Sequence, residues 1–115
     1  MSDTTFQRGE VYLIDLGDPV GHQPNGLRPG VIVSCTYFNK AIPNLIFVLP
    51  CTTNVRGLLS EVPVDPPEGG MKKRCAVRTD QLRAVAVVRF QARLGRISPK
   101  TMNKVDHLLR LILDL

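Results

Sequence analysis

Two short segments of this chain concentrate side chains that can hold a phosphate and move a proton. Gly21-His22-Gln23-Pro24-Asn25-Gly26-Leu27-Arg28-Pro29 carries an imidazole and a guanidinium among glycines and prolines. Cys51-Thr52-Thr53-Asn54 ends an apolar run with two hydroxyls and an amide. The planar fork of Arg28 can hold two phosphate oxygens at once. It is a poor proton donor, because a guanidinium keeps its proton to a pKa above about 12. The Thr52 hydroxyl can donate to or accept from a phosphate oxygen, but an unassisted hydroxyl is a weak base. His22 has the side chain whose ordinary pKa, about 6.5, suits proton transfer at neutral pH. It serves equally well as a residue that stacks on or hydrogen-bonds a ligand. The GxxxxGK[ST], HExxH and GxSxG patterns of nucleotide binding, zinc proteolysis and acyl transfer are absent.

The elements that must position these groups are short. Glu10 to Leu16 reads as a β-branched and aromatic strand stopped by Gly17-Asp18-Pro19. Gly17 to Pro29 holds three glycines and three prolines in thirteen residues, which predicts a long binding loop. Gly30 to Cys35 and Leu45 to Pro50 read as buried strands, with a helical turn possible between Thr36 and Asn44. Leu58 to Val64 is demoted to an edge strand by Pro63, and Pro66 to Gly70 is a turn. Cys75 to Thr79 and Leu82 to Val88 are further strands. Ser98-Pro99 then opens a helix as a hydroxyl N-cap followed by proline. Met102, Val105, Leu109 and Ile112 recur at helical steps. The helix should run about 17 residues, or about 25 Å at 1.5 Å per residue, with a stripe that covers a sheet or a partner subunit. Many short strands before one terminal helix predict a mainly β, α+β fold: a strongly bent antiparallel sheet or small barrel with helical cover.

The chain has 115 residues, 43% of them hydrophobic and 22% charged, which suits one globular domain over residues 1–115 and excludes a disordered chain. No apolar run approaches the roughly 17 to 25 residues of a spanning helix, and the first residues lack the order of a signal peptide, so a cytosolic protein is expected. Cys35, Cys51 and Cys75 form no CxxC pair and have only His22 and His107 to assist them. Reduced, mostly buried thiols are expected, with neither a disulfide framework nor a metal site. Residues 1–70 carry 4 basic and 7 acidic side chains, whereas residues 71–115 carry 11 basic and 3 acidic. A net charge of −3 therefore precedes one of +8, which points either to an anionic partner or to a solubilising basic face.

Four blocks together resemble the MazF/PemK family of toxin endoribonucleases. They are Arg8-Gly9-Glu10-Val11-Tyr12-Leu13-Ile14-Asp15-Leu16; Val20-Gly21-His22 leading to Arg28-Pro29-Gly30-Val31-Ile32-Val33-Ser34; Pro50-Cys51-Thr52-Thr53; and Thr79-Asp80-Gln81-Leu82. The resemblance implies a homodimer of SH3-like or CcdB-like barrels that cuts single-stranded RNA, chiefly mRNA, without a metal or cofactor. It further implies 2',3'-cyclic phosphate and 5'-hydroxyl ends, and neutralisation by an acidic MazE-like antitoxin. The family's arginine falls on Arg28 and its threonine on Thr52, and Gly21, Gln23, Asn25, Thr53, Asn54, Asp80 and Gln81 would hold or read the RNA. Family members often carry Glu-Gln after the Ser or His of the loop, where this chain has Gln23-Pro24. The usual carboxylate base is missing, and His22 is the expected substitute.

Each of these residues also has a plainer reading. Asp80-Gln81 could be only a turn, Lys72-Lys73-Arg74 a solvated loop or a phosphate grip, and His107 a structural helix residue. Two other functions compete. CcdB-like toxins poison DNA gyrase and carry a tryptophan in their tail, whereas this chain has no Trp and ends Leu113-Asp114-Leu115. A non-catalytic nucleic-acid-binding barrel would need aromatic platforms, and Phe6, Tyr12, Tyr37, Phe38, Phe47 and Phe90 look committed mainly to strands.

Overall fold

The computed structural model describes residues 5–17 and 26–115. Among the described residues seven strands run in the order β1 (Glu10–Asp15), β2 (Leu27–Ile32), β3 (Leu45–Thr52), β4 (Glu61–Val64), β5 (Cys75–Arg78), β6 (Arg83–Ala86) and β7 (Phe90–Arg96). Helix α1 (Thr36–Ala41) follows β2, and α2 (Pro99–Leu113) closes the chain. All pairings are antiparallel, and the sheet order is β4-β5-β3-β2-β1-β7, with β6 branching from β3. The expected mainly β, α+β fold is present, but the sheet is not closed, since β4 and β7 remain its ends. The long β3 makes the bend by changing partners along its length. Leu45 to Val48 pair with β6, and Cys51 and Thr52 pair with β5.

Side chains alternate across the central strands, so both faces become core. Val11, Val31, Leu49 and Val77 pack with Met102 and Val105 of α2 on one face. Tyr12, Ile14, Ile32 and Val48 lie on the other, with Phe6 and Phe90 beside them. The Phe6, Tyr12 and Phe90 rings meet at centroid separations of 5.2 to 5.3 Å. Phe38 meets Phe47 at 5.4 Å, and Tyr37 alone of the aromatics stands outside the packing, 81% exposed on α1.

Two local expectations are corrected, and one strand lacks any local signal. Arg28 and Pro29 belong to β2 and not to a loop, because β1 offers partners as far as Asp15, opposite Leu27. The same strand ends at Ile32, and Cys35 instead caps α1, its sulfur accepting from the Phe38 N–H at 3.5 Å. Strand β7 was not legible, since Phe-Gln-Ala-Arg-Leu-Gly-Arg lacks alternation and its ladder to β1 carries two register shifts. Polar contacts fasten this irregular edge. Arg93 Nε donates to the buried Glu10 at 2.6 Å, and Arg96 Nη1 donates to the Arg8 carbonyl at 3.0 Å.

Helix α2 starts as its sequence dictates. Ser98 Oγ accepts from the Thr101 N–H at 3.1 Å with proline in the first turn. The helix spans 15 residues, ending where Asp114 enters the left-handed region at φ 59°. Met102 and Val105 are buried and Leu108 and Leu109 half-buried, while Leu111, Ile112, Leu113 and Leu115 are exposed. None of the helices among the described residues is long and apolar enough to cross a membrane.

Candidate functional site

The ladder between β2 and β3 pairs Gly30 with Pro50 and Ile32 with Val48. Continuing that register by two residues brings Arg28 level with Thr52. Both line one cleft of about 1360 Å³, together with Thr53, Asn54 and Gln81. Arg28 and Thr52, 24 positions apart, thus converge by strand pairing alone. Arg28 is 8% exposed, so its guanidinium sits where water screens it weakly and its field on a bound anion is strong.

Thr52 is oriented by its own turn. Its Oγ1 accepts the Asn54 N–H at 3.1 Å, which leaves the hydroxyl hydrogen to donate outward. Beneath the cleft, Cys51 and Cys75 are buried free thiols. Their mutual hydrogen bond, joined by burial, holds Cys51 well above its ordinary pKa, and the same bond lowers Cys75. Cys35 is free but exposed, unlike the other two.

The cleft is cationic. Arg56, Lys72, Lys73, Arg78 and Arg83 line it with Arg28, and no Asp or Glu appears among its described lining residues. Lys72 and Lys73 reach it because the turn at Glu68–Gly70 is pressed against β7. A Cβ on Gly70, at φ 74°, would lie 2.0 Å from the Leu94 carbonyl oxygen, so only glycine fits. Besides Arg28, only the Lys72-Lys73 run among these cations gave a local sequence signal. Arg78 and Arg83 lie in strands, and only the three-dimensional pairing shows that they share the cleft.

Asp80 does not line the cleft itself. Its carboxylate holds Arg78, accepting from Nε at 3.1 Å and from Nη2 at 3.0 Å. The bond lowers the Asp80 pKa and raises that of Arg78. His107 lies on the exposed side of α2, in a separate groove of about 420 Å³ against β4. Gly21, His22, Gln23 and Asn25 lie outside the described residues. Among those described, no group of three His, Cys, Asp or Glu side chains gathers as a metal site would require.

Residues 7–113 match the family described as PemK-like, MazF-like toxin of type II toxin–antitoxin system. The chain is 35% identical to the probable endoribonuclease MazF5 of Mycobacterium tuberculosis, covering 93% of this chain and 92% of that protein. It is 31% identical to the endoribonuclease MazF9 of the same organism, over 96% and 98% of the two chains. A solved mycobacterial endoribonuclease in complex with its cognate antitoxin shares the fold with a TM-score of 0.77 and 27% identity, covering 95% of each chain.

Proposed function

The chain belongs to the PemK-like, MazF-like toxins of type II toxin–antitoxin systems, and on that premise we propose that it is an endoribonuclease acting on single-stranded RNA. The observation that carries this reading is the convergence of Arg28 and Thr52 in a cleft lined by cations. The 2'-hydroxyl of one nucleotide attacks the adjacent phosphorus, an O2'–P bond forms and the P–O5' bond breaks. The products are a 2',3'-cyclic phosphate and a 5'-hydroxyl. Arg28 donates to the non-bridging oxygens as charge gathers on them, and Thr52 adds one hydroxyl donor. Arg56, Lys72 and Lys73 draw in the phosphate backbone.

A cleft whose described lining offers six cations and no carboxylate gives a divalent cation no anionic protein ligand, which favours a metal-independent reaction. It also leaves proton transfer to a group elsewhere. We assign that task to His22, as base for the 2'-hydroxyl or acid for the 5'-oxygen. Gly21, Gln23, Asn25, Thr53, Asn54 and Gln81 contact the RNA.

The whole chain, 1–115, acts as one toxin domain in the cytoplasm. An antitoxin is its partner, an acidic one given the +8 charge of residues 71–115. A second copy is the other partner, and the exposed Leu59, Val88, Leu111 and Leu115 supply apolar surface for it. The test is to incubate a long single-stranded RNA with antitoxin-free protein in excess EDTA and map the ends. Cuts at a recurring sequence, bearing 2',3'-cyclic phosphate, are expected. RNA that is bound yet intact at all times would overturn the reading.

A further inference from the structure

The cations of the cleft are of two kinds. Arg56, Lys72 and Lys73 are exposed and have no carboxylate partner among the described residues. Arg78 differs in every respect. Its side chain is only 16% exposed, the Asp80 carboxylate takes its Nε and Nη2, and Glu61 stands directly opposite on β4, close enough for its charge to be felt. The two bonds to Asp80 occupy the side-on edge of the guanidinium. They leave the end-on edge, one Nη1 hydrogen and the remaining Nη2 hydrogen, as a rigid pair of donors.

We propose that Arg78, held by Asp80, is a specificity-determining residue that reads one guanine of the RNA by donating from its end-on edge to O6 and N7. The inference rests on the ribonuclease reading above. Charge decides against a phosphate as the ligand. Two carboxylates compensate this guanidinium, so it attracts an anion weakly, but its hydrogen-bond geometry toward a neutral acceptor pair is intact. Guanine's Hoogsteen edge presents two adjacent acceptors, O6 and N7, to such a fork, the commonest arginine–base contact, whereas adenine pairs its N7 with a donor. No aromatic ring lines the cleft among the described residues, so base recognition there falls to hydrogen bonds and guanidinium planes. Asp80 is a positioning residue that acts through Arg78.

Position along the RNA follows from the strands. Arg28, Thr52 and Arg78 occupy positions of one parity on β2, β3 and β5 and share a face of the sheet. With strands about 4.8 Å apart, β5 lies about 10 Å from β2. The guanine is therefore near the scissile phosphate and distinct from it.

The experiment uses the full-length protein and a synthetic RNA carrying its mapped cleavage sequence. 7-Deazaguanosine, which lacks only the N7 acceptor, replaces guanosine at each guanine in turn. At one position the wild type should slow by about five- to a hundredfold, the worth of a bidentate base contact. Inosine there, which keeps O6 and N7, should be cut nearly as well as guanosine. Arg78→Met should erase the penalty of 7-deazaguanosine at that position, and Asp80→Asn should shrink the preference for guanine over adenine while cutting persists. Circular dichroism establishes that the variants are folded, and the modified RNAs decide the matter on the wild type if they are not.

A cleavage sequence without guanine, or wild type indifferent to 7-deazaguanosine everywhere, would overturn the proposal. So would an Arg78→Met variant that cuts all sequences equally less well with a salt slope reduced by about 0.7, the mark of a phosphate contact. Failure of the wild type to cut any RNA would instead remove the ribonuclease reading, and this inference with it.

Discussion

Arg28 carries the largest single demand in this account, because nothing else in the described cleft is both buried and cationic beside Thr52. Removing one donor to a developing oxyanion typically costs about 10² to 10³ in rate, and Arg28→Ala should fall in that range. Arg28→Lys should recover little, since a point charge cannot replace a fork. Thr52→Val keeps the shape of the strand end but removes the hydroxyl, and should slow cleavage more than it weakens RNA binding. Single-turnover rates and filter-binding affinities separate the two effects. His22→Ala should cost about 10² to 10⁴ in rate at neutral pH if it moves the proton. Near-normal turnover would return His22 to a binding role.

The elements that hold these residues make their own predictions. Glu68 accepts the Ser98 N–H at 2.9 Å just before α2. Burial pushes its carboxyl up, but the hydrogen bonds from Thr101 and Ser98 and the charge of Lys104 bring it below its ordinary value of 4.5. A carboxylate with a lowered folded pKa stabilises the protein above its unfolded pKa and loses that contribution as pH falls through the folded value. Glu68→Gln should therefore cost about 1 kcal/mol at pH 7, discounted for its partial exposure, and almost nothing at about pH 3. Urea unfolding at the two pH values measures it. Gly70→Ala should be destabilised by well over about 1 kcal/mol, because a positive φ and a clash with the Leu94 backbone act together. Lys72 and Lys73 would shift with it.

What the sequence reveals tracks how local each cause is. Ser98-Pro99 names the start of α2 because capping is a contact over three residues. Pro63 marks β4 as an edge strand because a missing N–H is a local fact, and β4 does end the sheet. Arg28 and Thr52 were legible as chemistry, yet their placement level with each other depends on the β2–β3 register, which no window of residues contains. Strand β7 is held by Glu10 and Arg8 from the far end of the chain, so its own residues show no pattern. The Arg78–Asp80 fork was half visible. Asp80 stood out, but the cleft it serves exists only in the folded molecule.

At the scale of the whole molecule, charge governs association. If Arg28, Arg56, Lys72 and Lys73 each meet one phosphate, log affinity for single-stranded RNA should fall against log salt with a slope of about −3, at about −0.7 per contact. Replacing Lys72 and Lys73 together by alanine should reduce that slope by about 1.4, and an unchanged slope would place the RNA elsewhere. Antitoxin association should weaken with salt for the same reason, since exposed charges are screened within about 10 Å at 0.1 M. The central claim is that this cleft directs a 2'-hydroxyl at its neighbouring phosphate. The most direct measurement compares single-turnover cleavage in EDTA of one RNA oligonucleotide and its copy with a single 2'-deoxy residue at the mapped cut, by wild type and by Arg28→Ala. Wild type should cut the all-ribose strand efficiently and the 2'-deoxy strand not at all, and Arg28→Ala should lose about 10² or more in rate. Cleavage of the 2'-deoxy strand at a normal rate, or undiminished activity without Arg28, would contradict that claim.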